Sequence, residues 1–367
     1  MYSQILFVLS KKINIRNLSN QELEKALIEM GEPAFRCKQI MDWLWKKDAI
    51  SFESMNNIGN ALQKKLEDHF YIDRIAVIDQ QVSSDKTIKC AFGIEGETQV
   101  VEGVLIPTSS RMTACISSQV GCSLACDFCA TGRLKMMRNL SAGEIVDQVV
   151  YLKNLAESTY QTNLSNIVYM GMGEPMLNYK NVLRSVEILT DEKGLGISPK
   201  RITISTAGIA KMITKLGDDE VKFNLALSLH AANDKKRSKI MEINDTNDLE
   251  TLSEALKYFY QKTGSRVTFE YIIFKDFNDS LEDARELADF AKVVPCKINI
   301  IEYNPIDGGI YQQAERKKVD EFAAFLEEKC NLIVNVRRSR GKDIDAACGQ
   351  LANKNKSMDS RVLKPQR

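Results

Sequence analysis

The sequence has no apolar run that approaches the roughly 20 residues of a membrane span. The short apolar stretch at residues 5–9 has no basic residue before it and no small-residue cleavage site, so we expect no signal peptide. Proline and glycine are scarce, at 7 and 19 of 367 residues. With 44% hydrophobic and 27% charged residues, this composition indicates a globular protein and excludes fibrous and disordered classes.

An excess of charge of one sign is also missing. The formal net charge is +1, so any RNA-binding face must be a local patch of positive charge. The chain has only two histidines, His69 and His230, but nine cysteines. The odd cysteine count and the lack of a secretory signal argue against a disulfide framework. We therefore expect a cytoplasmic protein whose thiols stay reduced and serve as ligands or reactants, with no membrane partner.

The length allows one large α/β domain with an accessory segment, or two ordinary domains. Residues 1–72 are predicted to form a helical accessory domain. Its first helix has a capping box of Ser19 and Glu22 and a stop near Gly31, Pro33 opens a second helix, and a third spans about 59–68. Residues 73–108 are predicted to be a β-rich extension with strands at 74–82, 87–92 and 99–106. Residues 341–367 are predicted to be a C-terminal tail.

Residues 109–340 alternate between strand and helix patterns. Predicted strands span residues 113–117, 166–170, 201–205, 222–229, 266–274, 297–302 and 332–336. Predicted helices span about 179–190, 248–263, 280–293 and 315–329, and another begins at the capping box of Ser141 and Glu144. Six or so βα units predict an α/β fold whose parallel sheet closes fully or partly into a barrel, with its chemistry at the C-terminal ends of the strands.

Three cysteines, Cys122, Cys126 and Cys129, fall within eight residues directly after the first of these strands. One tight loop can aim their sulfurs at a common centre, and thiolates are preferred ligands of iron–sulfur clusters. Three ligands leave one iron of a [4Fe–4S] cluster open to a substrate or cofactor. A structural zinc site needs four ligands, and both histidines are remote in sequence. Buried packing cysteines are a further alternative, against which Gly121 and the polar neighbours argue.

The pattern Cys-x3-Cys-x-aromatic-Cys, with Phe128 as the aromatic residue, resembles the signature of radical S-adenosylmethionine (SAM) enzymes. The resemblance implies a radical SAM partial (β/α)6 barrel, similar to a TIM barrel. It also implies that the open iron of a [4Fe–4S] cluster chelates SAM. Reduction by an external electron donor would then cleave SAM to a 5′-deoxyadenosyl radical, so the cofactor carries the chemistry and the protein supplies position.

Several predicted strands end in small polar motifs. Gly171 and Gly173 let the backbone approach a ligand closely and Glu174 can accept from a ligand amine, although an ordinary βα turn has the same pattern. Gly173 and Glu174 resemble the motif that binds the SAM amino group in radical SAM enzymes. A lone histidine at a strand end is more often structural than a ligand. The resemblance implies further SAM contacts at Ser205, Ser228, Leu229, His230 and Asn304.

Two cysteines and a glutamate stand apart from these motifs. Cys115 lies one strand-length before the three-cysteine loop, and Cys348 lies in the polar tail. The residues alone leave Cys348 equally open to a reactive role and to a merely tolerated thiol. Glu102 alone reads as a surface glutamate on a strand. The remaining cysteines fall in helix or strand patterns and are expected to pack: Cys37, Cys90, Cys296 and Cys330.

Six segments together are similar to the RlmN-type adenine methyltransferases: CISSQVGC (115–122), RNL (138–140), GMGEP (171–175), SLHA (228–231), CKIN (296–299) and DIDAACGQL (343–351). The resemblance implies methylation at C2 of an adenosine in 23S ribosomal RNA and of an adenosine in the anticodon stem-loop of tRNAs. Lys135 and Met136 depart from the family's usual glycine and aromatic residue, and the cluster ligands are intact.

The same resemblance implies a mechanism with two SAM molecules per turnover. C2 of adenine is electron-poor, so a polar methyl transfer to it is implausible. One SAM would methylate Cys348, and a second would yield the radical that takes a hydrogen from that S-methyl group. The carbon radical would add to C2 and form a covalent enzyme–RNA adduct. Cys115 would then attack the Cys348 sulfur and release the product with a transient disulfide. Glu102 matches the family's proton acceptor.

The target base has to be unstacked to reach the mouth of a barrel, which is easiest in a single-stranded loop. Candidate RNA contacts are Arg36, Lys38, Trp43, Trp45, Lys46, Lys47 and the basic run at residues 337–342. A tryptophan pair in a short helix is more often core, and a basic run is usually a solvated face. The N-terminal segment resembles the family's accessory RNA-binding domain.

Three other functions remain open at this point. The Cfr type shares the cysteines and methylates C8 of adenosine, although the longer helical N-terminus favours C2. A radical SAM activase would need neither Cys115 nor Cys348. An iron–sulfur or zinc RNA-binding module would leave the glycine-rich strand ends unexplained. We expect a monomeric enzyme.

Overall fold

The computed structural model describes residues 12–47, 49–94, 100–192 and 195–353. Its N-terminal part contains strand β1 (Ile13–Asn14), the helices α1 (Asn20–Glu29), α2 (Phe35–Trp45) and α3 (Asn60–His69), and strand β2 (Phe70–Tyr71), which pairs with β1 in parallel. The capping box predicted at Ser19 and Glu22 is confirmed. The second helix, predicted to open at Pro33, begins at Phe35, and the amides of Arg36 and Cys37 in its first turn donate to Pro33 O and Ala34 O.

The remaining strands are numbered in the order in which they occur along the chain. They are β3 (Ala76–Val82), β4 (Ile88–Gly93), β5 (Val100–Pro107), β6 (Met112–Cys115), β7 (Gln119–Val120), β8 (Arg138–Asn139), β9 (Asn166–Tyr169), β10 (Ile202–Thr206), β11 (Asn224–Ser228), β12 (Val267–Ile273), β13 (Cys296–Glu302) and β14 (Val334–Arg337).

The helices that accompany these strands begin with α4, which opens at the predicted capping box of Ser141 and Glu144. They are α4 (Ala142–Tyr160), α5 (Tyr179–Thr190), α6 (Ala210–Asp218), α7 (Asp234–Ile240), α8 (Leu249–Thr263), α9 (Leu281–Phe290) and α10 (Arg316–Ala324). A π-helical turn, Phe325–Lys329, continues α10. The short helices α6 and α7 were not predicted.

Among the described residues, ten strands form one mixed sheet in the order β14-β13-β12-β11-β10-β9-β6-β5-β4-β3. β6 and β9 to β14 run parallel to one another, and they are the seven strands predicted for the α/β region. Six βα units would need only six of these strands. β3, β4 and β5 are antiparallel, and β5 pairs directly with β6. The predicted β-rich extension is therefore part of the same sheet, which determines the direction of the side chains on β5.

The two faces of the sheet differ in polarity. Alternate residues such as Ile167, Ile204 and Phe269 are fully buried in a large apolar core with the helices. The residues between them point to the opposite, inner face, which is rich in polar side chains. Cys37 and Cys90 are buried in the core, and Cys296 and Cys330 pack against it, as predicted. In the described ranges, no helix is long and apolar enough to span a membrane.

The C-terminal segment after β14 joins the two ends of the sheet. Asp343 accepts hydrogen bonds from the Ser83 hydroxyl at 2.5 Å and the Ser84 amide at 2.9 Å, in the turn between β3 and β4. In the same turn, Asp85 accepts from the Gly341 amide at 2.9 Å. The tail up to residue 353 is thus attached to the sheet.

A buried ion pair joins the N-terminal helices to the sheet domain. Arg16 precedes α1, and its Nη1 donates to Asp147 Oδ2 on α4 at 2.8 Å, with both side chains 2% exposed. Asp147 also accepts from the Ile75 amide at 3.1 Å. The Arg16 guanidinium lies 4.5 Å from the centre of the Trp45 ring. Trp45 is therefore a buried packing residue, and its prediction as an RNA contact is wrong.

Asp147→Ala is expected to lower the free energy of unfolding by about 3–5 kcal/mol, because Arg16 would stay buried without its partner. The matched control is Glu157→Ala on the same helix, where an exposed pair with Lys153 is worth about 0.5 kcal/mol or less. Urea unfolding of the cluster-free protein measures both. Equal effects of the two substitutions would show that the buried pair does not hold the domains together.

Candidate functional site

The three-cysteine loop follows β6 and is shaped by its own backbone. The Cys126 amide donates to Leu124 O at 2.9 Å, and the Cys129 amide donates to Cys126 O at 3.1 Å. The Leu124 amide donates to Cys122 Sγ at 3.4 Å. Gly121 enters the loop with a φ of +76°, where a Cβ atom would lie 2.2 Å from Lys135 O. The backbone of Lys135, where the sequence departs from the family pattern that it resembles, therefore closes directly over the loop.

The chemistry of the three thiols fits an iron–sulfur cluster. Burial raises the pKa of Cys122 to about 11 and raises those of Cys126 and Cys129. Charge on Cys129 further raises the pKa of both others, and nearby cations would favour the thiolate forms of all three. No group of three or more His, Cys, Asp or Glu side chains in the described ranges is arranged to hold a single metal ion.

Phe128 and His230 form the support behind this loop. The Phe128 ring packs edge-on against His230, with centroids 4.8 Å apart. His230 Nδ1 accepts from the Ile272 amide at 3.1 Å, and its backbone has a φ of +56°. Burial, helped by the charge of Arg237, lowers the pKa of His230 to about 3, so the ring is neutral. In this structure His230 ties the cysteine loop to β12, and its contact with SAM stays a prediction.

The glycines and the glutamate after β9 turn out to pack against protein. A Cβ atom at Gly171 would lie 2.7 Å from Ile116 O, and one at Gly173 would lie 2.5 Å from Gln119 Cβ. The expected close approach is therefore made to the segment after β6. Glu174 is buried, and its carboxylate accepts from the amides of Met176 at 3.0 Å and Ala207 at 2.8 Å. Burial raises the pKa of the Glu174 carboxyl, and the hydrogen bonds from these two amides oppose that rise.

The other strand ends meet at one edge of the sheet. Ser205 Oγ lies 3.2 Å from Ser228 Oγ. Leu229 is fully buried in the apolar core, and its amide donates to Glu270 O at 3.0 Å. Asn304 donates to Cys348 O at 3.3 Å, and its buried Oδ1 has no hydrogen-bond partner among the described residues. An orphaned buried acceptor at this edge fits a ligand that supplies a donor.

The tail brings Cys348 to the same edge. The Ala130 amide donates to Gly349 O at 2.7 Å, and the Thr131 hydroxyl donates to Leu351 O at 2.6 Å. The Cys348 side chain is exposed, but protein on most sides desolvates it and raises its pKa to about 11. Burial and the nearby Cys348 raise the pKa of Cys115 to about 12. The structure thus brings together the two cysteines and the three-cysteine loop, which are far apart in sequence.

Glu102 holds the last two described residues of the tail. Its side chain is 1% exposed, and Oε2 accepts from the amides of Ala352 at 2.9 Å and Asn353 at 3.1 Å. Lys89 Nζ lies 3.5 Å from Oε1, which makes no hydrogen bond within the described part of the chain. The interpretation of Glu102 as a surface residue is therefore wrong, because the strand β5 is covered by the tail.

Arg237 and Glu270 are buried charged residues of this site that were not predicted from the sequence. Arg237 on α7 is fully buried and donates to Ala207 O at 2.6 Å and Leu229 O at 3.2 Å, so it ties together the loops after β10 and β11. Nothing in sequence separates it from its lysine neighbours. Glu270 lies on the inner face of β12 and accepts from Asn299 at 2.7 Å. An acidic residue within an otherwise apolar strand was its available signal.

Comparisons with known proteins define the class first. The family profile "Radical SAM superfamily" matches residues 116–291. The crystal structure of a radical SAM methyltransferase from Sphaerobacter thermophilus covers 93% of this chain and 100% of its own, with a TM-score of 0.86 and 36% sequence identity. The fold is therefore the radical SAM fold, with the cysteine loop at the C-terminal edge of its parallel sheet, and the class implies a [4Fe–4S] cluster and SAM.

Similarity over the whole chain defines the family. The profile "Ribosomal RNA large subunit methyltransferase N-terminal domain" matches residues 13–72. The probable dual-specificity RNA methyltransferase RlmN of Cytophaga hutchinsonii is 58% identical over 94% of both chains. That of Christiangramia forsetii is 54% identical over 95% of this chain and 98% of its own. The chain belongs to the RlmN family of SAM-dependent methyltransferases.

Gly121→Ala is expected to prevent most iron binding, because a left-handed backbone and a clash with Lys135 O together cost at least about 1–3 kcal/mol. Gly59→Ala is the control, since a Cβ atom there meets nothing within 4 Å. Iron and sulfide analysis after anaerobic reconstitution measures the effect. A full complement of iron in Gly121→Ala would mean that the loop adapts to the side chain.

The thiolate is the reactive form of a cysteine, so the raised pKa of Cys348 should slow its alkylation at neutral pH in the protein without cluster and SAM. In the cluster-free protein, alkylation of Cys348 by iodoacetamide should rise with pH until about 11. At pH 8 it should be at least about tenfold slower than alkylation of N-acetylcysteine, whose thiol pKa is near 8.5. Peptide mass spectrometry follows the labelling. An alkylation rate that stops rising at about pH 9 would contradict a desolvated environment for Cys348.

Proposed function

We propose that this protein methylates C2 of an adenosine in 23S ribosomal RNA and in the anticodon stem-loop of tRNAs. Cys348 carries the methyl group, and a covalent enzyme–RNA intermediate forms on it. One observation carries the proposal: the tail fastens Cys348 beside the cysteine loop through Ala130 and Asn304, with Cys115 close enough to feel its charge. An enzyme that used SAM only to start a radical elsewhere would need neither thiol there.

In this proposal each residue has a defined task. Cys122, Cys126 and Cys129 would hold the [4Fe–4S] cluster. The residues that would contact SAM are Gly173, Glu174, Ser205, Ser228, Leu229, His230 and Asn304. Asn304 offers a buried oxygen that accepts no hydrogen bond from the described residues. When bound, the cluster and two SAM molecules per turnover supply the methyl group and the radical that abstracts hydrogen. An external donor supplies the electron.

The chain's own residues complete the reaction. Cys348 accepts the methyl group on its sulfur and later links that carbon to C2 of the base. Glu102 takes the proton that leaves C2, using Oε1, the oxygen that is not bonded to the tail. The [4Fe–4S] cluster, when bound, would accept the one electron that the radical adduct must lose. The Cys115 thiolate then attacks the Cys348 sulfur, so the S–C bond breaks and its electron pair stays on the released carbon. That carbon takes up a proton to become the methyl group of the product, and a transient disulfide forms between the two cysteines. All nine cysteines are free thiols in this structure.

The proposed division of the chain follows these tasks. Residues 1–72 form an accessory RNA-binding domain, 73–108 a β-rich extension, 109–340 the barrel and 341–367 the tail of the methyl-carrying cysteine. On the accessory domain, Lys38, Lys46 and Lys47 are exposed, and Lys47 Nζ lies 3.8 Å from the centre of the Trp43 ring. These side chains can meet the RNA backbone. The enzyme acts as a monomer in the cytoplasm, where its thiols stay reduced.

Nucleoside mass spectrometry tests the proposal. The reconstituted enzyme is incubated anaerobically with SAM, a strong reductant and either 23S rRNA fragments or tRNA. We expect 2-methyladenosine from the wild type and none from Cys348→Ala, whose cluster spectrum should be intact. Cys115→Ala should accumulate a covalent RNA adduct. Cys296→Ala, which removes a packing thiol bonded to Ala291 O at 3.5 Å, is the control and should turn over normally.

The remaining outcomes separate the parts of the proposal. 8-Methyladenosine would keep the mechanism and correct the regiochemistry to the Cfr type. SAM cleavage without any methyladenosine would overturn the substrate assignment. Normal turnover by Cys115→Ala, without an adduct, would overturn its role in product release.

A further inference from the structure

The basic run at residues 337–342 divides into two groups in the structure. Arg338 donates to Glu302 and Asp320, both at 2.6 Å. Arg340 donates to the carbonyl oxygens of Asp85 and Pro107, both at 2.8 Å. These arginines fasten the tail to the sheet. Arg337 takes no part in this attachment.

Strand register places Arg337 on the inner face. Glu270 pairs with Asn299 and Asn299 with Asn335, so these three residues share a face, and Arg337 follows two residues after Asn335 on β14. Arg337 Nη1 lies 3.7 Å from Glu270 Oε2, an ion-pair distance beyond the range of a hydrogen bond. The Arg337 side chain is 46% exposed, against 3% for Glu270. Glu270 therefore holds the guanidinium by charge and leaves donors available to a ligand.

The space beside Arg337 contains the two reactive cysteines. Burial raises the pKa of both Cys115 and Cys348, and the positive charge of Arg337 is close enough to lower it in both. Lys297, on the same face, also senses the charges of Glu270 and Arg337. One carboxylate thus faces two cations, which favours an anionic ligand. A guanidinium with available donors matches a phosphate group in shape and charge.

We propose that Arg337 binds a phosphate of the substrate RNA beside the target adenosine, from inside the sheet. This assignment rests on the proposed function. Arg337 acts as a positioning residue that holds the unstacked nucleotide near Cys115 and Cys348, while Glu270 holds Arg337.

Fluorescence anisotropy with a labelled tRNA anticodon stem-loop tests the assignment on the reconstituted enzyme at several salt concentrations. Arg337→Gln should weaken binding about tenfold, the loss expected for one charge-assisted contact. It should also reduce the slope of log affinity against log salt by about one. Arg337→Lys should retain the wild-type slope, because a lysine still neutralises a phosphate. Arg285→Gln, which removes an exposed arginine on α9, should bind like the wild type.

Two readouts without RNA separate phosphate binding from SAM binding. The cluster absorbance and the reductive cleavage of SAM by Arg337→Gln should match the wild type, and a loss of SAM cleavage would overturn the assignment in favour of SAM binding.

If Arg337→Gln does not hold a cluster, the double variant Glu270→Gln, Arg337→Gln takes its place. It removes both charges of the ion pair together and should show the same loss of affinity for RNA. An unchanged affinity for RNA in either variant would overturn the assignment of Arg337 but not the proposed function. A wild type that neither binds nor methylates RNA overturns the proposed function as well.

Discussion

The attachment of the irregular C-terminal segment to the sheet is the interaction on which the site depends. In the part of the tail that the structure describes, the regular element is one short 3-10 turn, Lys342–Ile344, so the segment cannot hold itself in place. Glu102, Asn304 and Ala130 fasten it from three directions. Glu102 and Ala352 are 250 residues apart in the chain, so the position of Cys348 near Cys115 depends on the folded sheet.

The same edge depends on how the sheet divides polar from apolar side chains. Its outer face provides the apolar core under the helices, and its inner face carries Ser205, Ser228, Glu270 and Asn299. Most buried polar groups in folded proteins are paired, because an unpaired one is costly. Arg237 satisfies this condition by bonding two strand-end loops, which also keeps those loops in register. Packing on one face thus leaves the other face available for chemistry.

Much of the fold was predictable because local patterns determine it. Buried parallel strands appear as apolar runs and capped helices show their first turn, so the strands β9 to β14 and both α1 and α4 were predicted correctly. α7 has only seven residues and follows a turn, so the helix is too short for a helical pattern of apolar residues to be recognised in the sequence. The atoms that a Cβ at Gly171 or Gly173 would meet lie more than 50 residues earlier in the chain, so this close packing has no local signal.

The sequence by itself determined the order of the elements, the three-cysteine loop after the first parallel strand, and the motifs that identify the family. These features depend on residues within one or two turns of each other. Only the tertiary structure decided that Trp45 and Glu102 are buried, that His230 supports Phe128, and that Arg337 faces inward while Arg338 and Arg340 fasten the tail. The physical reason is that burial and pairing are properties of residues distant in sequence, which the pattern around any one position does not contain.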